Sequence, residues 1–231
     1  MKHVLTATFA GSAASPSEFP RDDLPEVAFL GRSNVGKSSL LNALAGTRRL
    51  AHVSSAPGRT RVVNFFRVSV AKPGGGGRGE LYLVDLPGYG YAKAPRHVRD
   101  GFERLAVSYL EGRGPLRLCV FIVDARHEPG ELDLMLREWL AHHGLHYVVA
   151  ANKIDALDRG EARRREQALA RGIGAQADAV LGVSAEVGTG TRELWNLVRG
   201  AAFAPPARAG VAPERQRPPA DGERTTENHG R

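Results

Sequence analysis

The segment Glu26–Leu44, "EVAFLGRSNVGKSSLLNAL", sets a short apolar run against a glycine-punctuated turn, followed by leucines and alanines at helical spacing. In order it reads as a strand, the turn Gly31-x-x-x-x-Gly36-Lys37-Ser38, and a helix. Such a turn lets successive backbone N–H groups wrap a phosphate, and the helix N-terminus adds partial positive charge. Lys37 is then placed to reach the β- and γ-phosphates of a nucleoside triphosphate, and the Ser38 hydroxyl to complete a Mg²⁺ shell that water otherwise fills. As a bare pattern the turn arises by chance. Between a strand and a helix it is specific.

Outward from this segment, strand-like runs alternate with amphipathic helical stretches: "EVAFL", "VVNFFRVSV", "ELYLVD", "LRLCVFIVD", "HYVVAAN" and "AVLGVSA". That rhythm predicts an α/β, three-layer domain with a mostly parallel six-stranded sheet and helices on both faces. "AKPGGGGRG" leaves no room for a helix, so the strands it joins should form an antiparallel hairpin, giving one antiparallel edge strand. Gly74–Gly77 lacks a following Lys-Ser/Thr and reads as the hairpin tip rather than a second phosphate cradle. The expected organisation is an N-terminal extension over 1–22, the domain over 23–203, and a disordered Pro/Arg-rich tail over 204–231, where large apolar residues nearly vanish.

At 231 residues with 42% hydrophobic content, the chain supports one substantial core, and two full domains would be a tight fit. Apolar runs such as "LCVFIVDA" stop short of the roughly 18 residues that span a bilayer, so no membrane association is expected. The N-terminus has Thr6, Thr8 and Gly11 where a signal peptide needs an apolar stretch, and reads as mature sequence. Cys119, the single cysteine, lies in an apolar run; a buried thiol in a reducing cytoplasm fits it better than a nucleophile. The net charge of +7 favours polyanionic partners, nucleic acid first.

Three further elements complete a nucleotide site. Asp85 ends the apolar run "LYLV" three residues before Gly88, an arrangement in which a carboxylate approaches Mg²⁺ and a glycine N–H meets the γ-phosphate. "VVAANKID" then presents Asn152-Lys153-x-Asp155. Asp155 accepts from guanine N1–H and the 2-amino group, whereas adenine would leave the carboxylate unsatisfied, so GTP is the expected ligand. Lys153 can lay its stem across the base, and Asn152 can brace neighbouring loops. In "VLGVSAEVGTG", Val183-Ser184-Ala185 can offer a backbone N–H to guanine O6. Spacing alone leaves Thr47 and Thr60 both open as the switch threonine.

With "EVAFLGRSNVGKSSLLNAL", "SSAPGRTRVVNFF", "LYLVDLPGYGYAK", "NKID" and "VSA" in place, the chain closely resembles the EngB (YihA/YsxC) group of bacterial GTPases, relatives of TrmE and Era, from about Phe19 to Val198. "DLPGYGYA" and "PGRT" followed by "NFF" are its more specific marks. The resemblance implies a cytoplasmic, slow GTPase that converts GTP and water to GDP and phosphate. It further implies a role in large ribosomal subunit assembly, a link to normal division and septation, and a monomer whose partners are ribosomal RNA and proteins. It selects Thr60 as the switch threonine, with Gly58, Arg59, Arg61 and Val62 around it. The implied nucleotide contacts are Gly31, Arg32, Ser33, Asn34, Val35, Gly36, Lys37 and Ser38, this switch segment, Asp85, Leu86, Pro87 and Gly88, Asn152, Lys153, Ile154 and Asp155, and Val183, Ser184 and Ala185. Mg²⁺ would be held by Ser38 and Thr60, and by Asp85 through water. Lys37, Thr60 and Gly88 are the implied catalytic groups. The insertion "AKPGGGGRG" and the arginine-rich tail depart from the group's pattern.

Tyr89 stands where Ras-like enzymes carry a water-orienting glutamine, and a phenol cannot replace an amide. The water must be placed by backbone, a partner or an ion. Asn34 matches the position at which related potassium-stimulated GTPases hold K⁺ in place of an arginine finger; the same residue could simply brace the loop. Arg48, Arg49, Arg59 and Arg61 flank or lie in the switch segment and form a candidate nucleotide-dependent RNA surface, with Tyr91 and Lys93 as further contacts. Arg163–Arg165 read as a solvated helix face compensated by Glu161 and Glu166. His142, His143 and His146 lack a companion ligand for a metal, and Trp139 and Trp195 occupy core positions of helices. A GTP-dependent RNA-binding scaffold with incidental hydrolysis is the alternative reading. A P-loop enzyme using ATP is disfavoured by Asp155.

Overall fold

The computed structural model describes residues 4–47, 50–51, 62–89, 96–175 and 177–204, with only the backbone over 96–103. Seven strands form one sheet: β1 (Val4–Ala13), β2 (Glu26–Gly31), β3 (Val63–Ala71), β4 (Arg78–Asp85), β5 (Leu116–Asp124), β6 (Tyr147–Asn152) and β7 (Ala179–Gly182), in the order β1-β3-β4-β2-β5-β6-β7. β4, β2, β5, β6 and β7 run parallel. Every residue of β2 and β6 is buried, as expected of strands covered on both faces. The hairpin of β3 and β4 is antiparallel, with Lys72 N–H closing on Gly77 O at 2.8 Å. Gly74, Gly75 and Gly77 take positive φ in that turn, a conformation in which a side chain would be strained.

The six expected strands are present, and a seventh corrects the count. β1 pairs antiparallel with β3 across Val4↔Val70 to Ala13↔Val63, so β3 lies inside the sheet and β1 takes the edge. The residues before 23 therefore contribute to the domain's sheet. β1 is built from Thr, Ala, Gly and Ser around Leu5 and Phe9, with little intrinsic strand signal; long-range pairing with the apolar β3 supplies what the local sequence lacks.

Helices α1 (Lys37–Ala45) and α5 (Thr191–Phe203) cover one face, while α2 (Arg96–Gly112), α3 (Glu131–His142) and α4 (Arg159–Arg171) cover the other. Leu40, Leu41 and Leu44 of α1 pack with Leu194, Trp195 and Val198 of α5. Trp195 Nε1–H donates to Leu44 O at 2.7 Å, tying α5 to the last turn of α1. On the opposite face, Phe19, Phe65, Tyr82 and Tyr109 meet edge to face or tilted at 5.5–6.2 Å between centroids. Beneath them Glu26, fully buried, accepts from Tyr109 Oη–H at 2.7 Å and from Arg113 Nε and Nη2 at 2.8 and 2.5 Å.

Cys119 is fully buried in β5, and burial pushes its thiol up to about 12. Trp139 is half-buried and stacks on His143 at 4.0 Å; His143 also faces Glu111, and His146 faces Asp178. Arg165 pairs with Glu128, and Glu166 accepts from Gly182 N–H at 2.5 Å. These partners differ from the within-helix compensation expected for α4, because both side chains reach loops and strands beside the helix. No helix among the described residues is long and apolar enough to cross a membrane.

Candidate functional site: a nucleotide cradle at one end of the sheet

The ends of β2, β4, β5 and β6 deliver their loops to one edge, since these strands are parallel and each terminates on the same side. In an open parallel sheet this is where ligands bind. Gly31 closes β2 where a Cβ would stand 2.7 Å from Ile122 O and 2.9 Å from Val35 Cγ2, so the turn can start only with glycine. Asn34 and Gly36 take φ of +68° and +93°, folding the turn back so that α1 begins at Lys37. Ser38 follows in the first turn of the helix.

Lys37 and Asp85 meet directly: Nζ lies 2.6 Å from Oδ1, with both side chains buried. The residue assigned to phosphate and the residue assigned to the Mg²⁺ shell thus face each other across the gap between α1 and β4. Beyond Asp85, Leu86 and Pro87 are buried, and Leu86 N–H donates to Phe29 O at 3.3 Å. Gly88 then comes against the turn; a Cβ on it would be 3.2–3.4 Å from Ser33 Oγ, Ser33 N and Gly31 O. Ser33 N–H donates to Tyr89 O at 3.2 Å, within an isolated parallel bridge between Arg32 and Tyr89.

The Tyr89 side chain turns toward α3, where Oη–H donates to Asp133 Oδ1 at 2.8 Å. Burial, reinforced by that carboxylate, pushes the phenol far above its ordinary range, so it remains a protonated donor committed to Asp133. Tyr89 is therefore not a water-orienting group here.

The base-reading loop is fastened to the phosphate turn. Asn152, buried at the end of β6, donates through Nδ2 to Val35 O at 2.8 Å and accepts at Oδ1 from Ala185 N–H at 3.2 Å. Lys153, at φ +67°, donates through Nζ to Asn34 O at 2.7 Å and to Asp124 Oδ2 at 2.8 Å. Burial raises Asp124, but hydrogen bonds from Arg126 and Lys153 outweigh it and hold the carboxyl well below the usual range. Ile154 N–H donates to Val183 O at 3.2 Å, and Asp155 is exposed beside it. Ser184 is buried, with its hydroxyl accepting from Glu186 and Val187 N–H.

The structure thus gathers Gly31–Ser38, Asp85–Gly88, Asn152–Asp155 and Val183–Ala185. Val62 is described just before β3, whereas Gly58, Arg59, Thr60 and Arg61 lie outside the described residues, as do Arg48, Arg49, Tyr91, Lys93 and the tail from 205. Two residues of the site escaped sequence reasoning. Asp124 ends the apolar run "LCVFIVD" just as Asp85 ends "LYLVD", a signal that could have found it. Asp133 carries no local signal; only folding brings it to Tyr89.

Residues 26–153 match a family described as 50S ribosome-binding GTPase. A protein of Solibacter usitatus named "Probable GTP-binding protein EngB" is 45% identical over 194 residues, covering 84% of this chain and 95% of the relative. The protein of the same name in Anaeromyxobacter sp. (strain K) is 45% identical over 211 residues, covering 91% and 97%. Among solved structures, a probable GTP-binding protein engB superposes with TM-score 0.58 at 22% identity, covering 77% of this chain and 98% of the other. Aquifex aeolicus Era bound to GDP·AlF₄⁻ gives 0.64 at 22%, covering 77% and 56%. These two likenesses establish the P-loop fold, and the sequence relatives establish the family: the chain belongs to the EngB GTP-binding proteins and is a GTP hydrolase.

Proposed function

We propose that this GTPase is a nucleotide switch in assembly of the large ribosomal subunit, acting in the cytoplasm as a monomer and linked to normal cell division. The observation that carries the reading is the wiring of the phosphate turn to both of its neighbours: Ser33 to Tyr89 beyond Gly88, and Val35 and Asn34 to Asn152 and Lys153. An element joined to the γ-phosphate-sensing turn and to the base loop suits a protein whose shape depends on its nucleotide. The family description as 50S ribosome-binding and the charge of +7 support a ribosomal partner.

In hydrolysis, water attacks the γ-phosphorus in line with the departing GDP. Lys37 and the N–H groups of the turn offset charge on the phosphate oxygens, and Gly88 N–H holds a γ-oxygen. Ser38 and Asp85 offer hard oxygen donors from α1 and β4, a set that fits Mg²⁺ and would hold it. Bound there, Mg²⁺ would shield the β- and γ-oxygens. With the Tyr89 phenol committed to Asp133, the water is oriented by other groups. K⁺ beside the exposed Asn34 is our candidate, and hydrolysis should run faster in K⁺ than in Na⁺ buffer; equal rates would remove it.

The test is co-sedimentation with large-subunit precursors, with GDP or a non-hydrolysable GTP analogue, at about 50 and about 200 mM salt. Tighter, salt-sensitive binding with the analogue supports the switch, and binding indifferent to both refutes it. Crosslinking the analogue-bound protein to the precursor would then map the RNA contacts. An unchanged single-turnover rate on adding particles would favour the scaffold reading.

A further inference from the structure

We infer that Asp133 is a positioning residue for GTP hydrolysis, acting through Tyr89 to hold Gly88 against the phosphate turn. Asp133 is buried in the first turn of α3, yet its carboxylate serves three segments. Oδ1 accepts from Tyr89 Oη–H at 2.8 Å; Oδ2 accepts from Gly130 N–H at 2.8 Å and lies 4.0 Å from Arg32 Nη1. Arg32 and Tyr89 are themselves bridged through their backbones. The loop is closed: turn to Tyr89, Tyr89 to α3, α3 back to the turn. Gly88 lies inside it, one residue before the anchored phenol and in contact range of Ser33.

A residue that merely filled space beside α3 would need no hydroxyl, and burying one is unfavourable unless it is paired. The pairing fixes where the chain goes immediately after Gly88. GTP and GDP differ only in the γ-phosphate, and Gly88 N–H can meet that group alone. Losing the anchor should therefore weaken GTP recognition and hydrolysis while sparing GDP, a selectivity that loss of general packing would not produce.

The test uses the full chain as wild type, Tyr89→Phe, Asp133→Ala and the double variant, each with bound GDP removed. Tyr89→Phe should raise Kd for a non-hydrolysable GTP analogue by about ten-fold, the size expected of one hydrogen bond to a buried carboxylate, and slow single-turnover hydrolysis comparably. GDP affinity should stay within about two-fold. Because Tyr89→Phe removes the donor and Asp133→Ala the acceptor of the same bond, the double variant should be no worse than Asp133→Ala alone. Equal losses for the analogue and GDP, no loss for either, or additive effects of the two substitutions would each overturn the inference. Should Asp133→Ala fail to fold, Tyr89→Phe, which deletes a single oxygen, still decides it. The switch reading is scored by ribosomal-particle binding and this inference by nucleotide selectivity, so each fails on its own.

Discussion

Asn152→Ala tests how the two halves of the nucleotide site are joined. The wild-type amide spans from Val35 O, 2.8 Å from Nδ2, to Ala185 N, 3.2 Å from Oδ1. Asn152 is almost completely buried, and Val35 nearly so. Deleting the amide removes two hydrogen bonds, each worth about 0.5–1.5 kcal/mol net. It also leaves Val35 O buried without that donor, at about 1–3 kcal/mol, while Ala185 N–H, half-buried, can turn to water. The total is about 2–6 kcal/mol, shared between folding stability and nucleotide binding.

If half of it falls on binding, Kd for GDP rises by about five- to 150-fold. Titration of a fluorescent GDP analogue and a thermal melt measure the two shares. Asn152→Asp sharpens the test: it keeps an acceptor for Ala185 N–H but sets carboxylate oxygen against Val35 O, so it should bind no better than the alanine variant. An aspartate variant with wild-type affinity, or an alanine variant within about two-fold of wild type, would refute the claim that the amide's donor side fixes the turn.

Gly36→Ala should weaken GDP binding at least as much as Asn152→Ala, because φ is +93° there and a Cβ would lie 2.3 Å from Asn152 Nδ2; the same titration reads it. Arg113→Ala leaves the buried Glu26 carboxylate without its ion-pair partner and should cost about 3–5 kcal/mol in denaturant unfolding. GDP affinity should be unchanged, since Glu26 starts β2 and lies roughly 17 Å of strand from Gly31. Asp124 is depressed in the folded chain, so its stabilising contribution is present above its unfolded pKa of about 3.9 and is lost as pH falls from there toward the folded value. Wild-type melting temperature should therefore fall more steeply than that of Asp124→Asn below about pH 4. Removing residues 1–13 strips β1 from β3 and re-exposes apolar side chains such as Phe66, at about 1.5–3 kcal/mol for each one fully exposed; a lower melting temperature and self-association are expected.

What could be read in the chain beforehand was whatever is written locally. The six expected strands announce themselves as apolar runs, and the phosphate turn, Asp85 with Gly88, and Asn152-Lys153-x-Asp155 are contiguous patterns. β1 was not legible because its strand character comes from β3, 50 or more residues away along the chain. Asp133 was not legible for the same reason: 44 residues separate it from Tyr89. Tyr89 itself was visible as a misfit, a phenol where an amide orients water elsewhere, but its partner could come only from the fold.

That misfit changes how the site divides its labour. A glutamine in this place would act on the water, from the solvent side of the γ-phosphate. Here the side chain is turned into the protein and its hydroxyl binds a buried carboxylate, so the residue after Gly88 acts on the backbone instead. The phosphate turn consequently becomes the hub: Lys37 reaches Asp85, Ser33 reaches Tyr89, and Val35 and Asn34 receive Asn152 and Lys153. A site organised this way is rigid around the phosphates and leaves orientation of the water to something added to it. If the water is placed by K⁺ or by a docked particle, as proposed, the isolated chain should hydrolyse GTP slowly and the addition of that ion or particle should accelerate it.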